Sequence, residues 1–102
     1  MIRHCVFAKF RAEISGAERQ AIYDQLAALR GHLKGIGAMS FGANVSPEGL
    51  HQGFVDGFTI DFADAEARDA YLRDAAHQAA GGRLVAALQG GRDGLLVFDI
   101  EV

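Results

Sequence analysis

Two stretches of this chain alternate strictly, and a capped helical pattern follows each of them. "IRHCVFAKF" (2–10) sets Ile2, His4, Val6, Ala8 and Phe10 against Arg3, Cys5, Phe7 and Lys9, the period of two of a strand. "FVDGFTIDF" (54–62) does the same, with Phe54, Asp56, Phe58, Ile60 and Phe62 on one face. After the first, Ser15 and Glu18 make a capping box, and Ile22, Leu26, Leu29 and Leu33 form an amphipathic stripe closed by Gly35. After the second, Asp64 caps a helix running through Tyr71, with more helix to about Leu88. A glycine-weakened strand, "IGAMSFGANV" (36–45), and a loop, "SPEGLHQG" (46–53), lie between the two units. "GGRDG" (90–94) turns into a last strand, "LLVFDIEV" (95–102). The order βαββαβ predicts a ferredoxin-like α+β fold, an antiparallel four-stranded sheet with both helices on one face.

The last strand adds a constraint. It is apolar on both sides, with Leu96, Phe98 and Ile100 on one and Leu95 and Val97 on the other. Helices cover only one face, and the other spans on the order of 400 Å² of apolar surface, as much as a monomer usually exposes. A second copy of the chain is the expected cover, and a lysine at Leu95 or Val97 is the change expected to break it.

At 102 residues the chain is expected to be one domain, 1–102. Half the residues are hydrophobic and 23% are charged, a balance that argues against disorder. The net charge is −3 and no two Lys or Arg residues adjoin, so a nucleic-acid partner is not expected. No apolar run reaches the length of a membrane span, and the N-terminus lacks a signal-peptide core. A single cysteine, Cys5, fits a reducing compartment, and the cytoplasm is the expected location.

Chemistry concentrates in "AYLRDAAHQAA" (70–80), where Tyr71 and His77 stand six positions apart. On an unbroken helix that spacing sets them about 120° apart. Asp74 is a good N-cap, however, and a helix beginning there puts His77 at its third position and turns both side chains into one space. The helix N-terminus also favours neutral imidazole, the form a general base needs. His4 shares a strand face with Ile2, Val6 and Phe10, which suits a core histidine or a cavity floor. Asp56, between Phe54 and Phe58, either pairs with His4 on the neighbouring strand or reaches solvent at the strand's end. Tyr23, Leu26 and Phe58 would wall the space or simply pack the core. His32 and His51 are expected in solvent. No histidine or cysteine pair has metal-ligand spacing, and no phosphate-cradling glycine loop or nucleophile elbow is present.

"MIRHCVFAKF", "NVSPEG", "FTIDFADAEARDAYL" and "HQAA", taken in order, resemble the stress-responsive A/B barrel (Dabb) family over nearly the whole chain. The resemblance implies a ferredoxin-like unit whose sheet packs on a partner's sheet, hence a homodimer. One branch of the family is similar to a plant polyketide cyclase that closes a linear polyketone by aldol condensation without a cofactor. That enzyme's catalytic Tyr–His pair matches Tyr71 and His77, and its first-strand His matches His4. Its third-strand His is Asp56 here, the family's His-Pro is Asp74-Ala75, and an aromatic beyond the motif is Ala80. The expectation is a homodimer with a small-molecule-binding or stress-related role. The alternative is a cofactor-independent cyclase or isomerase acting on a small apolar carbonyl compound. Cofactor-free monooxygenases share the fold and size, but none of their motifs is evident.

Overall fold

The computed structural model describes residues 1–102. Four strands, β1 (Ile2–Ala8), β2 (Ile36–Ala43), β3 (Asp56–Phe62) and β4 (Leu95–Glu101), form one sheet in the order β2-β3-β1-β4. All three neighbouring pairs run antiparallel. Three α-helices, α1 (Gly16–Ala27), α2 (Ala65–Arg73) and α3 (Ala75–Ala86), pack on one face, as the ferredoxin-like reading predicts.

The caps form where the side chains dictate. Ser15 accepts from the Glu18 amide, Asp64 from the Ala67 amide, and Asp74 from the His77 amide. The first helix is shorter than its stripe suggests. It tightens into a 3-10 turn at Ala28–Gly31, which buries Leu29 and leaves Leu33 partly buried. Gly35 sits at φ +80°, and a Cβ there would lie 2.6 Å from the Ala67 Cβ, so glycine is needed for both conformation and space. Strand ends are also trimmed. Beyond β1, Phe10 meets Leu88 in an isolated bridge, and Phe54 precedes β3.

Pairing register assigns the faces. Ile2, His4, Val6 and Ala8 oppose Phe62, Ile60, Phe58 and Asp56 on β3 and point toward the helices. They meet Ile22, Tyr23 and Leu26 of α1, Tyr71 of α2, and Ala80 and Leu84 of α3. Across β4, Val6 pairs with Val97 and His4 with Asp99, so Leu95, Val97 and Asp99 point inward. Leu96, Phe98 and Ile100 form the outward register, 45–48% exposed, with Phe98 5.9 Å from the Phe7 ring. The expectation for Leu95 and Val97 is therefore corrected. They line the helical side, and the open face carries the other register, because β4 joins β1 with Cys5 opposite Phe98.

No helix is long and apolar enough to cross a membrane. The break between α2 and α3 depends on Asp74, whose backbone at φ −68°, ψ 134° leaves the helical region. Asp74→Ala should cost about 1 kcal/mol in urea unfolding, the usual value of an N-cap. An unchanged unfolding midpoint would show that packing alone holds the break.

Candidate active site

Asp74 serves both helices at their junction. Its amide donates to the Tyr71 carbonyl at the end of α2, and its Oδ2 accepts the His77 amide at 3.1 Å as α3 begins. Its Oδ1 lies 3.2 Å from His32 Nε2. The His77 amide is foremost in holding the Asp74 carboxyl below its ordinary range, with His32 adding to it. The resulting bend turns Tyr71 and His77 toward each other, with ring centroids 3.9 Å apart and planes inclined at 36°.

Both face a cavity of about 790 Å³ between the inner sheet face, α2 and α3. His4, Leu26 and Phe58 line it too, while Leu84, Val85 and Val97 supply much of its apolar wall. Of the inward side chains of β4, Leu95 packs against the core and Val97 borders the open space. Val97 is 47% exposed although it points toward the helices. Gly81 stands one turn past His77, and a Cβ there would sit 3.8 Å from His77 Nε2, so the missing side chain keeps that nitrogen open. Arg92, exposed on the turn before β4, stands at the rim.

Burial sets the protonation of the pair. Tyr71 is 1% exposed, and burial alone pushes its phenol above the ordinary tyrosine range, so it remains a hydrogen-bond donor. Burial also pushes His77 below its ordinary value. The Leu72 carbonyl and Asp74 oppose that shift, although His77 Nδ1 has no partner at hydrogen-bonding geometry. The site thus presents a neutral imidazole beside a protonated phenol.

The other sequence candidates divide. His4 is 4% exposed and packs edge-on to Tyr71 at 6.0 Å and Phe62 at 5.9 Å. Asp56 is not its partner. The register places Asp56 opposite Ala8, four residues or about 13 Å along β1 from His4. Asp56 instead takes a 3.2 Å bond from Arg19 and lines a separate groove of about 490 Å³ on the outer sheet face, beside the 44–55 connection. It therefore neither floors the cavity nor stands free in solvent. Tyr23 also lies elsewhere, packed against Phe41 at 5.0 Å and against Phe10 and Phe58 at 6.0 Å. Its buried hydroxyl has no partner, and burial together with Asp56 pushes its pKa up to about 12.

Asp99 is the residue the sequence reading missed. Its Oδ1 lies 2.7 Å from His4 Nδ1, and its Oδ2 accepts from Arg68 at 2.9 Å. The signal was available, because Asp99 continues the inward Leu95, Val97 register as an acid on an apolar face. His32 and His51 are exposed, as expected, although His32 meets Asp74 at the α2–α3 junction and His51 Nδ1 accepts from the Gly53 amide. No three His, Cys, Asp or Glu side chains converge as a metal-binding group.

The lowered His77 value has a pH signature. The folded state gives up this proton more readily than the unfolded chain, so stability is full above about pH 6.5 and falls as pH drops through the lowered value. An NMR titration should place the His77 midpoint below 6.5, and His77→Asn should lessen the fall in unfolding free energy just below that pH. A midpoint at or above 6.5 contradicts the account.

The profile described as Stress responsive A/B Barrel Domain matches residues 2–102. Among solved structures, a dimeric ferredoxin-like protein of unknown function from Jannaschia sp. CCS1 is 34% identical with a TM-score of 0.91. The match covers 99% of this chain and 98% of that one. A protein of Arabidopsis thaliana is 26% identical with a TM-score of 0.89, covering 100% and 95% of the two chains. The hydroxynitrile lyase of Passiflora edulis shares the fold at a TM-score of 0.86, but only 14% identity, over 99% and 92%. No curated protein matches in sequence. With the profile matched from the second residue to the last, the chain belongs to the stress-responsive A/B barrel domain family.

Proposed function

We propose that this protein is a homodimer that binds a small apolar carbonyl compound in the inner cavity, in a binding or stress-related role. One observation carries the reading. Tyr71 and His77 stand 3.9 Å apart at the polar end of an otherwise largely apolar space. A protonated phenol offers a hydrogen bond to a carbonyl oxygen, and the apolar wall takes the hydrocarbon remainder.

The homodimer is supported by the exposed Leu96, Phe98 and Ile100 on the outer sheet face and by the dimeric state of the Jannaschia relative. The cytoplasm is the proposed location, supported by Cys5, a free and buried thiol.

The protonation pattern favours a second reading, a cofactor-independent cyclase or isomerase. Neutral His77 would take a proton from the carbon beside the carbonyl. Tyr71 would donate to the oxygen as it gains enolate charge, and the proton would return from His77 to carbon or oxygen at the end. The electron pair of the C–H bond becomes the enolate and then attacks a second carbonyl or is reprotonated.

Gly81→Leu separates binding from folding. Leucine has the better helix propensity at this interior position, so stability should hold or rise. Its side chain fills the space beside His77 Nε2, so calorimetric binding of medium-chain methyl ketones should disappear. Unchanged binding by this variant sinks the cavity as the site. For the enzymatic reading, His77→Ala should lower turnover of a fitting polyketone by about 10²–10⁴-fold. Tyr71→Phe should lower the rate with little effect on affinity, since its hydroxyl acts on charge that develops in the transition state. Wild-type turnover in both variants makes the pair structural. Phe98→Lys should yield a monomer by light scattering, and an unaltered mass would remove the outer face as the interface.

A further inference from the structure

The Asp99 carboxylate joins two elements behind the His4 side of the cavity wall. His4 Nδ1 approaches one of its oxygens at 2.7 Å, and Arg68 of α2 holds the other at 2.9 Å. Burial works to raise the Asp99 carboxyl, yet the bonds from His4 and Arg68 outweigh it and hold it below its ordinary range. An ionised carboxylate only accepts, so the hydrogen of the short contact belongs to Nδ1. Arg68 bridges Asp99 to Asp69, which it meets at 3.0 Å. The ring itself is 4% exposed and packs edge-on to Phe62 and Tyr71, which fixes its orientation. His4 lines the cavity, and Nε2 is its remaining polar atom. Unlike His77 Nδ1, it is not among the polar atoms sealed away without a partner.

We propose that Asp99 is a positioning residue that fixes a proton on His4 Nδ1, so that Nε2 is the ring nitrogen presented to the cavity beside the Tyr71 phenol. The ligand class follows from that polarity. The wall then offers the Tyr71 donor and, besides His77 Nε2, a second acceptor at His4 Nε2, which suits a carbonyl compound that also carries a hydroxyl, such as an enol, a phenol or a hydroxyketone. This rests on the proposed reading of the cavity as a carbonyl site.

The test reads the tautomer first, without turnover. Long-range ¹⁵N–¹H spectra of the wild-type imidazoles at neutral pH should show His4 Nδ1 protonated and Nε2 unprotonated. In Asp99→Asn, Arg68 has only donors to offer, so the amide oxygen turns to it and the amide NH₂ turns to His4. Nδ1 must then accept, and the proton should move to Nε2. A protonated Nε2 in the wild type, or a tautomer unmoved by Asp99→Asn in a folded variant, overturns the proposal. Binding of 3-hydroxyacetophenone and 3-methoxyacetophenone reads the ligand class. Wild-type protein should prefer the hydroxyl compound by about tenfold, the worth of one buried hydrogen bond, and Asp99→Asn should lose that preference. Equal wild-type affinity for the two removes the hydroxyl from the ligand class and leaves the carbonyl site standing. Failure of both to bind counts against the carbonyl site and the ligand class together.

Discussion

The Asp74 carboxylate caps α3, faces His32 with its other oxygen, and sits where the backbone leaves the helical region. Without a break, the alanine-rich stretch around it favours one continuous helix, and six positions along such a helix would turn Tyr71 and His77 about 120° apart. With the break, the rings stand 3.9 Å apart over a cavity. The cap is worth about as much as any helix cap. Its consequence is directional, since it decides which way α3 leaves the sheet and hence whether the space beside β4 is filled or open.

That open space determines the chemistry of what lines it. Tyr71 keeps its proton because burial disfavours the phenolate, and no neighbouring charge offsets that penalty. The same desolvation keeps His77 neutral, and the missing side chain of Gly81 leaves its Nε2 clear. A hydrogen-bond donor and a basic nitrogen thus coexist at neutral pH without a metal-ligand cluster, a disulfide or a charged pair between them. The ionic interactions sit one layer back, where Asp99 holds the His4 ring and is itself held by Arg68.

The sheet divides its two faces between separate tasks. The inward side of β1 and β3 is core beside α1 and becomes cavity wall toward β4. The outward side carries Phe7, Leu96, Phe98 and Ile100, partly exposed, with the Arg3–Asp61 ion pair beside them. A sheet covered on one face by helices leaves the other to water or to a partner, and the two-sided apolar character of β4 follows from serving both.

The sequence by itself determined the order of elements, the caps at Ser15, Asp64 and Asp74, and the break that brings Tyr71 to His77. Each of these rests on interactions within a few residues, where side-chain chemistry and local spacing leave little freedom. Leu26, Phe58 and His4 were legible for the same reason, since alternation and helical period name the face a residue occupies. Only the tertiary structure decided which acid meets His4. Asp56 and Asp99 both lie on inward, apolar faces of strands adjoining β1, and period two cannot distinguish them. Register placed Asp99 opposite His4 and carried Asp56 four residues away to Arg19. It also decided that Leu96 and Phe98, and not Leu95 and Val97, face outward. Register is fixed by hydrogen bonds between strands far apart in the chain, and a one-residue slip exchanges the faces, so no local pattern encodes it.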